Sequence, residues 1–127
     1  MASSVVVRDP RTWTFTVDDL PDGPNTHQLW RIKHRRYAPI RDSLAWQVRA
    51  VRPQEPLQHV HVVVTLVRTS GPPRDPDNAV ASVKGLLDGL VIGGLVVDDS
   101  AEHMSLGVRQ ERGTKRASRV HVTEVLG

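Results

Sequence analysis

At 127 residues the chain is long enough for one hydrophobic core and too short for two, so a single domain over 1–127 is expected. It is 39% hydrophobic and 24% charged, as soluble globular proteins are, and no stretch approaches the roughly 18–20 apolar residues of a membrane span. With no cysteine, disulfides, zinc–thiolate sites and thiol catalysis are excluded, and a cytoplasmic protein is expected.

In chain order, Thr12–Val17 alternates bulky apolar residues with threonine and predicts a strand with one buried face. The Pro- and Gly-rich stretch 20–25 is a loop. Residues 29–37 are basic and fit no single element. A helix is predicted from about Asp42 to Arg52, its apolar positions being Leu44, Val48 and Val51 and its stop Pro53. The clearest strand is 58–68, with Val60, Val62, Val64 and Leu66 on one face and His59, His61, Val63, Thr65 and Val67 on the other. A Pro-rich loop leads to a second helix from about Asn78 to Val91, capped by Asp77 and stopped by Gly93-Gly94. A strand from about His103 to Arg112, a basic turn and a last strand from Arg119 to Leu126 complete the order β-α-β-α-β-β. This is a small α/β (α+β) fold with a mixed or antiparallel sheet. Trp13 and Trp46 are expected in the core.

Charge is unevenly placed. The net charge is +3, and 12 of the 17 Lys and Arg residues fall in just two segments, Arg31–Arg52 and Arg109–Arg119, with only 2 of the 14 acids. Acids gather at 75–77 and 98–102. Basic regions on both sides of an acidic centre suit a phosphate-binding surface around a metal site. Taken alone, each run also reads as an ordinary solvated face.

The acidic centre comprises Arg74-Asp75-Pro76-Asp77-Asn78, then Lys84, Asp88 and Asp98-Asp99. Proline at 76 biases the backbone before it to be extended, which puts Asp75 and Asp77 where a loop enters a helix. On a helical wheel Asp77, Ala81, Lys84 and Asp88 share one narrow arc, beside an apolar stripe of Val80, Val83, Leu87 and Leu90. If the chain brings Asp98-Asp99 back to this arc, the clustered carboxylates repel one another unless a hard divalent cation neutralises them. Oxygen ligands alone suit Mg²⁺ or Mn²⁺. Such a cation activates water and stabilises charge on a phosphate, as phosphodiester hydrolysis requires. The same residues also make good turn and capping chemistry.

This stretch resembles the RusA family of Holliday junction resolvases, common in phages and prophages. The resemblance lies in Arg74, Asp75-Pro76-Asp77-Asn78, Lys84 four residues before Asp88, and Asp98-Asp99; it is specific over 74–104 and topological elsewhere. It implies that Asp75, Asp77 and Asp99 are catalytic, metal-binding carboxylates and Lys84 the active-site lysine, with Asp98, Asp88 and Asn78 as accessory residues. It implies a homodimer that resolves four-way junctions in DNA recombination and repair by paired, symmetric nicks in Mg²⁺ or Mn²⁺. A cytoplasmic setting in a bacterial host goes with it. DNA would then be held by Arg31, Lys33, Arg35, Arg36, Arg74, Arg112, Lys115 and Arg116. Two departures stand out. The segment from Asn78 to Lys84 is about three residues longer than the family pattern, close to one helical turn. Leu20–Asn25 keeps only the flavour of the family's loop after the first strand.

Other readings attach to the same chain. His59, His61 and His121 would meet if their strands pair, and His103 and Glu102 lie close to Asp99 in sequence. Trp30 and Tyr37 interleave with arginines as in surfaces that stack on unpaired bases. Alternatives to the resolvase are a DNA-binding protein without catalysis and a metal nuclease that acts on flaps or forks.

Overall fold

The computed structural model describes residues 9–22 and 37–126. Its elements are β1 (Thr12–Val17), α1 (Tyr37–Val51), β2 (Val60–Arg68), α2 (Pro76–Ser82), α3 (Lys84–Gly93), β3 (Met104–Arg112) and β4 (Ala117–Glu124). The four strands form one mixed sheet in the order β1-β4-β2-β3: β2 and β3 run parallel, while β4 is antiparallel to both β1 and β2. The expected α+β class and the strand–helix order are therefore observed.

Strand alternation decides which sheet face is covered. Phe15, Val17, Val60, Val62, Val64, Leu66, Val120 and Val122 point to one side and are buried. Ile40, Leu44 and Val48 of α1 and Leu86, Leu87 and Leu90 of α3 complete the core on that side. The other sheet face, carrying Thr14, His61, Arg119 and His121, is open.

Four expectations about the elements change. Trp46 is 74% exposed rather than in the core. It lies two residues beyond Leu44, about 200° round the helix from the buried stripe. Val51 is also half exposed, so the stripe of α1 is Ile40–Leu44–Val48. Second, the helix expected over 78–91 is two helices with a break at Val83 (φ −90°, ψ 4°). The Ser82 hydroxyl donates to the Ala79 carbonyl at 2.8 Å, competing with the helical ladder just before the break. The break re-phases the second half, so Val83 is buried but Val80 is 50% exposed, and the wheel arc joining Asp77 to Lys84 does not exist. Third, the cap of α2 is Asp75, with Pro76 in the first turn followed by Asp77. Proline lacks the N–H that a first helical residue leaves unpaired, so it moves the start two residues earlier.

The fourth concerns the final strand, which spans Ala117–Glu124 and not 119–126. β3 and β4 are consecutive in the chain but do not pair with each other, because β2 lies between them. The link 113–116 instead crosses the end of β2: the Gly113 N–H donates to the Arg68 carbonyl at 2.8 Å, and a Cβ at Gly113 would lie 2.7 Å from Val67 Cγ1. Glycine is needed there for close approach. At the far end, Gly94 (φ 94°) stops α3 in the left-handed conformation, as expected of Gly93-Gly94.

Candidate functional site

Parallel pairing of β2 and β3 fixes where the acidic residues go. The Asp75–Asp77 loop follows the C-terminal end of β2, whereas Asp98-Asp99 precede the N-terminal end of β3. Arg74 confirms the first placement: its N–H donates to Gln110 Oε1 (2.7 Å) and its carbonyl accepts from Gln110 Nε2 (2.8 Å), near the end of β3. Its guanidinium donates to the Pro21 carbonyl at 2.6 Å.

Lys84 opens α3. Its ammonium donates to Asp99 Oδ2 and lies 3.1 Å from Asp88 Oδ1, one turn further along the helix. The hydroxyl of Tyr37, at the start of α1, donates to the other Asp88 oxygen. The Arg41 guanidinium stands 5.6 Å over the Tyr37 ring. Three separate parts of the chain thus converge on one polar network, Tyr37–Asp88–Lys84–Asp99. The network places Lys84 by its spacing to Asp88 and not with Asp75 and Asp77. Sequence reasoning singled out Tyr37 only for stacking; its bond to Asp88 depends on how α1 lies on α3, and no local pattern encodes that.

Seven residues of α2 separate Asp75 from Lys84, about 10 Å at 1.5 Å per residue along the helix axis. Among the described residues no three carboxylate or imidazole groups stand together as a metal ligand set. Asp75 and Asp77 are exposed, and among the described residues neither side chain makes a hydrogen bond or ion pair. Their donor chemistry, two carboxylates two residues apart with no competing cation, fits one hard divalent ion. Asn78 follows them at the same helix start. Asp98 is exposed, its carboxyl held below the ordinary range by the Asp99 backbone N–H and the Ser100 hydroxyl.

Of the basic residues expected to bind DNA, Arg31, Lys33, Arg35 and Arg36 lie outside the described residues, as does Trp30. The others gather at one end of the sheet. Arg68, Arg74 and Arg116 line a depression of about 230 Å³ together with Thr69, Ser70 and Gln110. Arg112 ends β3, and the exposed Lys115 and Arg116 face Asp18 (3.6 Å) and Asp19 (3.4 Å). Exposed pairs of this sort are weak.

The histidines do not gather as three. His61 bonds the Ser105 hydroxyl (2.6 Å) and His121 the Thr14 hydroxyl (2.8 Å). His59 and His103 stack at 5.9 Å, each with Nδ1 donating to a backbone carbonyl.

The network has a spectroscopic handle, because Tyr37 is the only tyrosine. The hydrogen bond to Asp88 and then burial hold its phenol above the ordinary value, and Asp99 and Asp88 do the same for the Lys84 ammonium. Both groups bind their protons more tightly when folded. Their contribution to stability is therefore full below about pH 10 and is lost as pH rises through the folded-state values. A near-ultraviolet absorbance titration is expected to show late tyrosinate formation, moved earlier by Asp88→Asn. An unchanged midpoint in that variant would refute the Tyr37–Asp88 bond.

Compared with known proteins, the chain matches no protein-family model, and no curated protein is similar enough to count as a relative. Among the described residues, no helix is long and apolar enough to cross a membrane.

Proposed function

We propose that this protein is a metal-dependent endodeoxyribonuclease that cuts branched DNA, above all the four-way Holliday junction, in recombination and repair. The observation that carries the proposal is an adjacency. Arg74, which lines the depression together with Arg68 and Arg116, is followed in the chain by Asp75 and Asp77, two carboxylates without a partner among the described residues. Cations that hold a phosphate beside acids that hold a divalent metal suit phosphodiester hydrolysis.

In this mechanism the three arginines bind and orient the phosphodiester. Asp75 and Asp77 would hold Mg²⁺ or Mn²⁺, with Asp99 the third carboxylate named by the RusA resemblance. A cation held there would supply an activated water and a charge to offset that on the phosphate oxygens. Lys84 neutralises Asp88 and Asp99, and Tyr37 fixes Asp88 so that Lys84 keeps its place. A homodimer supports two like nicks, since a two-fold axis presents two identical sites to a symmetric junction. A bacterial cytoplasmic, phage-associated setting belongs to the same proposal.

The competing reading is a DNA-binding protein without catalysis. The capping position of Asp75 and the distance to Asp99 favour it. A labelled synthetic four-way junction, run beside linear duplex, flap and fork substrates in Mg²⁺, Mn²⁺ and EDTA, separates the two. Paired, metal-dependent nicks near the crossover are expected. Preference for flaps or forks would keep the nuclease and replace its substrate, and binding without cutting in any metal would leave only the DNA-binding reading.

The basic link makes a separate prediction. Lys115→Ala with Arg116→Ala should weaken DNA binding for every sequence and reduce the slope of log affinity against log salt by about two. A changed sequence preference with an unchanged slope would remove these residues from the phosphate surface.

A further inference from the structure

The open sheet face carries basic residues at a site distinct from the depression at the end of the sheet. Strand register sets their positions. Arg119 on β4 lies opposite both Thr16 of β1 and Thr65 of β2, and Thr65 lies opposite Arg109 of β3. One rung across the sheet therefore reads Thr16–Arg119–Thr65–Arg109. With strands ~4.8 Å apart, the two arginine stems flank Thr65 and stand about 10 Å from each other. The next rung reads Thr14–His121–Val63–Gly107. Gly107 leaves a gap, since a Cβ there would meet nothing nearer than Val63 Cγ2 at 3.9 Å.

Thr14, Val63, Thr65, Arg109, Glu111, Arg119 and His121 line a depression of about 400 Å³, and Gly107 lies beside it on β3 between Val63 and the edge of the sheet. Glu111 is the one acid in its lining, and it pairs with Arg119 at 3.0 Å with both side chains about half exposed. Such an exposed pair is weak enough to be given up for a phosphate. Arg109 makes no hydrogen bond or ion pair among the described residues. Hydroxyls and an imidazole supply further donors. The lining contains no Phe, Tyr or Trp, so nothing there stacks on a base.

We infer that this face is a second, sequence-independent seat for DNA, in which Arg109 and Arg119 grip the phosphate backbone across the sheet. The inference rests on the nuclease proposal for its choice of polyanion, and charge complementarity carries it. It adds a contact for one arm of a branched substrate away from the cutting end. A small domain has too little surface to hold a junction at one edge alone.

The experiment measures binding of a fluorescent four-way junction by anisotropy across a salt series in EDTA, so that cutting plays no part. Wild type is compared with Arg109→Ala/Arg119→Ala and with Gly107→Glu, which puts a carboxylate into the gap. The double variant is expected to lower the salt slope by about two, one per phosphate contact. Gly107→Glu is expected to weaken binding although both arginines remain, and thermal melting checks that each variant is folded. Unchanged slope and affinity in both variants, with wild-type cutting in Mg²⁺, would overturn this seat and leave the nuclease standing. Loss of slope in a protein that never cuts would support the seat and refute the nuclease. A wild type that binds no DNA would overturn both. A shift in oligomeric state with no change in slope, seen by sedimentation, would make the face a contact between two copies of this chain and also overturn the inference.

Discussion

Gly93→Ala is expected to destabilise the protein, although helix propensity alone predicts the opposite. Alanine is favoured over glycine inside a helix by about 1 kcal/mol. At Gly93, however, a Cβ would lie 2.6 Å from Val48 Cβ, 2.7 Å from Val48 Cγ1 and 2.9 Å from the Ala45 carbonyl oxygen. These are parts of a neighbouring helix with no room to yield, unlike the tip of a long side chain. Overpacking of a tight core costs about 1–3 kcal/mol and sometimes more, so the steric effect wins. A net loss of about 2 kcal/mol corresponds to a melting temperature lower by roughly 8 °C in a domain of this size. Gly89 faces the same helix, with the Arg41 carbonyl 2.8 Å from its would-be Cβ. Val48→Ala combined with Gly93→Ala should recover part of the loss, a coupling read from a double-mutant cycle. A melting temperature for Gly93→Ala at or above wild type would show that α1 and α3 are not packed backbone against backbone.

Asp75→Asn and Asp77→Asn should each reduce cutting of a four-way junction at least about a hundredfold, since loss of a direct ligand exceeds the 10–100-fold cost of disturbing its supporting groups. Binding should persist or tighten, because a charge that repels phosphate is gone. Retention of cutting by Asp77→Asn would remove it from the metal site. Asp99→Asn is the discriminating variant. The resemblance gives Asp99 the weight of the other two, yet the intervening helix keeps it beside Lys84. A loss as deep as for Asp77 means that the loop carrying Asp99 approaches the pair when substrate and metal bind. A much shallower loss would leave Asp99 the role of holding Lys84.

Much of this was legible in the sequence because it is local. The alternation in 60–68 set both the strand and its buried face, and Gly93-Gly94 set a helix stop. The spacing of Lys84 to Asp88 gave their contact. What was not legible depends on long-range arrangement or on competition between neighbours. A hydrophobic tally puts Trp46 inside, and only the phase of α1 against the sheet puts it outside. The continuous helix over 78–91 failed at Ser82 and Val83, where a side-chain hydroxyl competes with the ladder and the backbone leaves the helical conformation. The convergence of Asp75, Asp77 and Asp99 was left open by the sequence, because it depends on how β2 pairs with β3 and not on any local pattern. Of the site, most residues were named in advance; the bond of Tyr37 to Asp88 and the alignment of Arg109 with Arg119 were not, because they exist only across strands and helices.

The last described strand is an interior strand of the sheet. Among the described residues β1 pairs only with β4, and β4 is also what joins it to β2. During synthesis β1 emerges first and waits for a partner more than 100 residues downstream, since Thr12 pairs with Thr123. Until then it and one side of β2 are unpaired edges, which invite association with other chains. Closure is thus a late, non-local step of the kind that makes folding slow, since β4 must be available before β1 and β2 can share one sheet.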